Sequence, residues 1–84
     1  MDRSTPYALA IMNEFLEKIA EILEEKDIGE ADDLKSFPQW DSLSVLSVIA
    51  MLDANYGVNL RGADFESIST IGDLWNLVQS RKRP

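Results

Sequence analysis

With 84 residues, 45% of them hydrophobic and 27% charged, the chain has the composition of one small globular domain, which buries roughly 60% of the surface its unfolded form would expose. A net charge of −7 argues against nucleic acid or an anionic membrane as partner, and no run of about eighteen apolar residues exists to span a bilayer. The absence of Cys and His excludes disulfides and thiolate or imidazole metal sites, and removes the side chains most used for nucleophilic and acid–base chemistry near neutral pH.

The opening Met1-Asp2-Arg3-Ser4-Thr5-Pro6 has no apolar core of a secretory leader, so a cytosolic location is expected. Ser4-Thr5-Pro6 reads as a helix start, a hydroxyl cap with Pro at the first helical position. Ala8, Ile11, Met12, Phe15, Ile19, Ile22 and Leu23 then follow spacings of three, one, three, four, three and one, a single apolar stripe on an amphipathic helix. The opposite face carries Glu14, Glu17, Lys18, Glu21, Glu24 and Glu25. Glu14 and Lys18 form one favourable i,i+4 pair, and the rest is a solvated acidic surface.

From Lys26 to Trp40 the periodicity stops. Asp27, Gly29, Asp32, Asp33, Ser36 and Pro38 mark a long loop, with Ile28, Leu34 and Phe37 as hydrophobic pegs and room for a short helical turn. A second helix is expected over 42 to 56, capped by Asp41 at its start and by Gly57 at its end. Its apolar residues do not make one stripe. Val45, Ile49, Leu52 and Tyr56 are expected to face the core, Leu43, Leu46 and Ala50 form a second line partly toward solvent, and Ser44, Ser47 and Asn55 supply a polar side. Ser42 falls on the first turn, beside unsatisfied amides and the positive end of the helix dipole, where an attached phosphate would be held favourably.

After Gly57, Val58-Asn59-Leu60 reads as an extended link and 63 to 68 as a helical turn with Phe65 or Ile68 inward. Thr70-Ile71-Gly72-Asp73 has capping-box spacing, with Asp in place of Glu. It opens a last helix with Ile71, Leu74, Trp75 and Val78 inward. Arg81-Lys82-Arg83 then suits the helix dipole, with contact to an acidic partner as the alternative. Asp53 to Asp64 resembles a calcium loop, but Val58 stands where glycine is needed and Asp64 where a bidentate Glu is expected. No glycine-rich phosphate loop is present, and the Asp32–Asp33 pair has no accompanying base or nucleophile.

Asp41-Ser42-Leu43 at the start of a helix, Leu52-Asp53-x-x-Tyr56-Gly57-Val58 and Ile68-Ser69-Thr70-Ile71-Gly72-Asp73, at this spacing, resemble the acyl carrier protein family, most clearly from Pro38 to Val78. The resemblance implies an all-α fold, a four-helix bundle with three main helices, a short third helix and a long loop between the first two. It implies that Ser42 receives 4′-phosphopantetheine from coenzyme A, and that the terminal thiol of that arm bears acyl groups as thioesters. The lack of Cys and His then fits a non-enzyme whose reactivity lies on the cofactor and on partner enzymes.

In the same resemblance Asp41 and Leu43 flank the attachment serine, Asp41 as a cap within the surface met by the phosphopantetheinyl transferase rather than as a catalytic base. The departures concern partners. Family members of fatty-acid synthesis carry acidic residues along the second helix; here Ser44, Ser47 and Ala54 occupy such positions and only Asp53 remains, while Gln39-Trp40 replace smaller residues before the motif. A specialised, monomeric, stand-alone carrier is expected, serving acyl-transferring or acyl-activating enzymes of a dedicated lipid or secondary-metabolite pathway, with Leu43, Leu46, Ala50, Asp53 and Ile68 as docking residues. Two alternatives stay open: an aminoacyl, D-alanyl or peptidyl carrier, and an unmodified helical adaptor.

Overall fold

A computed structural model describes residues 6–82, with the side chains from residue 10 onward; the cap expected from Ser4 and Thr5, the side chain of Ala8, and Arg83 and Pro84 lie outside that range. Three α-helices, α1 (Pro6–Leu23), α2 (Ser42–Tyr56) and α3 (Ile71–Arg81), are joined by loops holding two 3-10 turns, Leu34–Ser36 and Gly62–Glu66. The described residues contain no strand, and the all-helical arrangement agrees with the carrier-like bundle. Its short third helix is the 3-10 turn Gly62–Glu66.

The α1 stripe is buried at Met12, Phe15, Ile19 and Leu23, with Ile11 and Ile22 packed at its margins. Glu14 and Lys18 pair across one turn at 3.5 Å. The helix ends at Leu23, so Glu24 and Glu25 belong to the turn that follows. That turn is a Schellman motif, in which the Glu25 amide donates to the Ala20 carbonyl (2.9 Å) and the Glu24 amide to the Glu21 carbonyl (3.3 Å). It places Glu24 at φ 55°, a left-handed conformation usually given to glycine.

The long loop folds onto the bundle through the expected pegs. Leu34 is buried, inside the Leu34–Ser36 turn, and Ile28 and Phe37 pack half-buried on the core. The loop is also stitched to α3: the Leu34 amide donates to the Ser69 carbonyl, the Ile71 amide to the Asp32 carbonyl and the Gly72 amide to the Glu30 carbonyl, at 2.8–3.0 Å. A Cβ on Gly72 would lie 3.2 Å from the Glu30 oxygen, so glycine here permits the close backbone approach.

One aromatic ring from each helix meets at the centre. Phe15 of α1 lies 4.8 Å from Trp75 of α3 and 5.9 Å from Tyr56 of α2, and Tyr56 meets Trp75 edge-on at 6.4 Å. The inward face of α3, Ile71, Leu74, Trp75 and Val78, is buried as its periodicity predicts.

The packing of α2 departs from expectation. Its buried residues are Ser44, Val48 and Leu52, spaced by four, while Val45, Ile49 and Tyr56 pack at the edges of that stripe. Ser44, expected on the polar side, is turned inward, and its hydroxyl donates to the Gln39 carbonyl. That bond satisfies a buried polar group on the same inward face as the fully buried Val48. Both Phe65 and Ile68 point inward, where only one was required.

Arg81 and Lys82 serve the fold. The Arg81 guanidinium meets Asp64 at 3.1 Å, and the Lys82 ammonium lies 5.7 Å from the centre of the Tyr56 ring.

The mouth of helix α2

The start of α2 is fixed by Asp41. Its backbone is extended, its carboxylate accepts from the Ser44 amide at 2.9 Å, and its carbonyl accepts from the Val45 amide at 3.0 Å. The approach is fixed as well: the Trp40 amide donates to the Phe37 carbonyl at 3.0 Å, and the half-buried Trp40 ring packs on Phe65 with centroids 5.9 Å apart. Trp40 thus joins the end of the long loop to the 3-10 turn Gly62–Glu66.

Ser42 is the first helical residue and is exposed. Its hydroxyl and the amides of Ser42 and Leu43 have no hydrogen-bond partner among the described residues. Two free donors and the positive end of a 15-residue helix therefore surround an accessible hydroxyl. A phosphodiester fits this surrounding, because the amides left open by the Asp41 cap can donate to its oxygens. Asp41 itself, exposed and engaged with the Ser44 amide, acts as a cap.

The surface running from this point along α2 is apolar and almost uncharged. Leu43 is 72% exposed and Leu46 61%, and Ser47, Ala50, Asp53 and Ala54 are exposed beyond them. Asp53 is the one acid on α2, and its carboxylate accepts from the Asn59 side chain at 3.0 Å. Ile68 does not join this surface. It is only 8% exposed and packs in the core, so the docking role expected of it is corrected. The reason is local: the turn after Phe65 brings Ile68 back under the bundle just before the Thr70 cap.

What the sequence did not reveal is the support behind the site, the Ser44–Gln39 bond and the Trp40–Phe65 contact, since Gln39 lies in the loop outside the helix and Phe65 is distant along the chain. An inward-turned serine one turn from a cap resembles any other polar helical residue when only hydrophobic periodicity is read.

No helix among the described residues is long and apolar enough to cross a membrane, and no cluster of His, Cys, Asp or Glu among them could hold a metal ion. No curated protein matches the chain in sequence. The family model described as the phosphopantetheine attachment site matches residues 13–78, a span that begins within α1 and ends within α3 and so takes in the whole mouth of α2. Since that match covers well over half of the 84 residues, the chain belongs to the carrier-protein family whose members hold 4′-phosphopantetheine covalently.

Proposed function

We propose that Ser42 is the attachment residue and that the protein is an acyl carrier of a dedicated lipid or secondary-metabolite pathway. The observation that carries this reading is an exposed Ser42 hydroxyl beside two unpartnered amides at the start of α2, within the matched region. The arm supplies a terminal thiol on which acyl groups are carried as thioesters.

The chain's own residues do the rest. The amides of Ser42 and Leu43 would hold the phosphodiester, and Asp41 caps the first turn through the Ser44 amide and leaves those two amides open. Trp40, packed on Phe65, anchors the end of the preceding loop beside Ser42. Leu43 and Leu46 offer partner enzymes an apolar contact next to the attachment point, with Ala50 and Asp53 farther along the same helix. Because rim charges mainly steer encounter and select partners, a face with one acid is poorly matched to enzymes that recognise acidic carriers. The net charge of −7 and the lead-in Phe37-Pro38-Gln39-Trp40, without glycine, favour acyl over aminoacyl or peptidyl cargo.

The test is incubation with coenzyme A and a broad-specificity phosphopantetheinyl transferase, followed by intact-mass measurement. A mass gain that disappears in Ser42→Ala is expected; a gain that persists in that variant, or no gain at all, refutes the assignment of Ser42. Loading of the modified protein by an acyl-activating enzyme and not by an amino-acid-adenylating enzyme of the same gene neighbourhood is expected. The reverse preference makes it an aminoacyl carrier.

A further inference from the structure

On the side of α1 beside the start of the long loop, Asn13, Leu16, Glu17 and Ala20 face Asp27 and Ile28 across a groove of about 330 Å³. It shares no residue with α2. The four α1 residues stand at i, i+3, i+4 and i+7, so their stripe is about 10 Å long at 1.5 Å rise per residue. Half-buried Leu16, Ala20 and Ile28 make an apolar floor, and exposed Glu17 and Asp27 stand at the rim.

The groove is built by the turn that ends α1. Glu24 at φ 55° and Asp27 at φ 53° reverse the chain and lay Asp27 and Ile28 back along the helix. The far wall is held in place: the Gly29 amide donates to the Asp32 carboxylate at 2.8 Å, the Asp32 amide to the Gly29 carbonyl at 3.1 Å, and the Glu30 carbonyl receives the Gly72 amide of α3. The cleft is therefore present before any partner arrives.

Among the described residues no Lys or Arg lines it, Lys18 is turned to Glu14, and neither Glu17 nor Asp27 has an ion pair. Two carboxylates flanking an apolar floor two helical turns long are complementary to a cation-flanked apolar side chain. A small free cation would leave that floor uncovered. We propose that this groove is a second docking surface, which takes a short basic amphipathic segment of a partner protein: one apolar side chain seats on Leu16, Ala20 and Ile28, and flanking Arg or Lys side chains meet Glu17 and Asp27. The surface lets a partner hold the carrier while the mouth of α2 stays free. The contact is small, so the association is transient.

The test uses full-length protein labelled with 15N, titrated with an amide-capped peptide carrying one leucine flanked by arginines at helical spacing. The control peptide has serine in place of the leucine. Saturable amide shifts confined to the groove residues are expected, absent with the control. Affinity should fall by about fivefold in the Glu17→Gln/Asp27→Asn double variant, the scale of two exposed ion pairs. Asn tolerates the left-handed backbone at 27, so the variant keeps the fold. Binding should be unchanged in Ser42→Ala, which separates this surface from the assignment of Ser42. Shifts scattered over the acidic surface without saturation, shifts centred on α2, or equal binding of the control peptide would overturn the proposal.

Discussion

Helices α2 and α3 begin with the same device and end up in opposite situations. Each has an extended cap residue whose side chain accepts the amide three residues on, Asp41 from Ser44 and Thr70 from Asp73. At α3 the remaining donors are closed by the long loop, the Ile71 amide on the Asp32 carbonyl and the Gly72 amide on the Glu30 carbonyl. At α2 the corresponding amides, Ser42 and Leu43, meet no described residue. The same contrast holds for the side chains. The apolar residues Ile71, Leu74, Trp75 and Val78 of α3 are buried, whereas Leu43 and Leu46 of α2 point to solvent. One helix start is sealed as structure; the other is left open, with capped geometry and uncommitted donors.

Substitutions separate the two ends of that contrast. The largest effect is expected from Val48→Asp, which buries an unpaired carboxylate at a fully enclosed position. A loss of several kcal/mol should abolish the cooperative thermal transition followed by circular dichroism. Retained cooperativity would mean that α2 rotates to expel the charge, as the Val45 and Ile49 pattern alone would have suggested.

Next comes Gly72→Ala, which sets a methyl group against the Glu30 carbonyl at 3.2 Å and pries the loop from α3. Destabilisation by about 1–3 kcal/mol in urea titration is expected, with faster hydrogen exchange at Ile71 and at residue 72 itself. An unchanged midpoint would show that the loop gives way freely and that the seal contributes little.

Acid should act on the sealed end. Asp73 is held below the ordinary carboxylate range, chiefly by the Thr70 and then the Ser69 amides. Asp64 is lowered first by the Arg61 amide and then by Arg81. A carboxyl that releases its proton more readily when folded than when unfolded contributes stability that is complete above the unfolded value. That stability is lost as pH falls through the folded one. The urea midpoint should therefore decline as pH drops below about 4, and Asp73→Asn should flatten that decline. A variant with the same acid dependence as the parent would remove Asp73 from the account.

The smallest effect on stability belongs to the open end. Leu46→Asp should change the unfolding midpoint by less than about 0.5 kcal/mol because the side chain is 61% exposed, yet weaken handling by partner enzymes. A large drop in melting temperature would make Leu46 part of the core.

The stripe of α1, the inward face of α3, the caps Asp41, Gly57, Thr70 and Asp73, and the loop pegs Ile28, Leu34 and Phe37 were all legible in the sequence. Each depends on residues within a few positions of one another. The exposed serine at the start of α2 was legible for the same reason.

The rotation of α2 was not legible. Its apolar residues occupy more than one face, so hydrophobicity gives no unique phase, and the inward face is the one that carries the Ser44–Gln39 bond and the fully buried Val48. Ile68 was misplaced for a similar reason: one apolar residue after a turn can point either way until the turn's geometry is set. The difference between the two helix starts lies at the same level. Whether an amide at a helix mouth is closed or open depends on where a distant carbonyl comes to rest, and local sequence does not encode the position of the Asp32 and Glu30 carbonyls relative to α3. Periodicity and capping chemistry are short-range and can be read along the chain, while helix phase and the sealing of helix ends follow from contacts made outside the helix once the chain has folded.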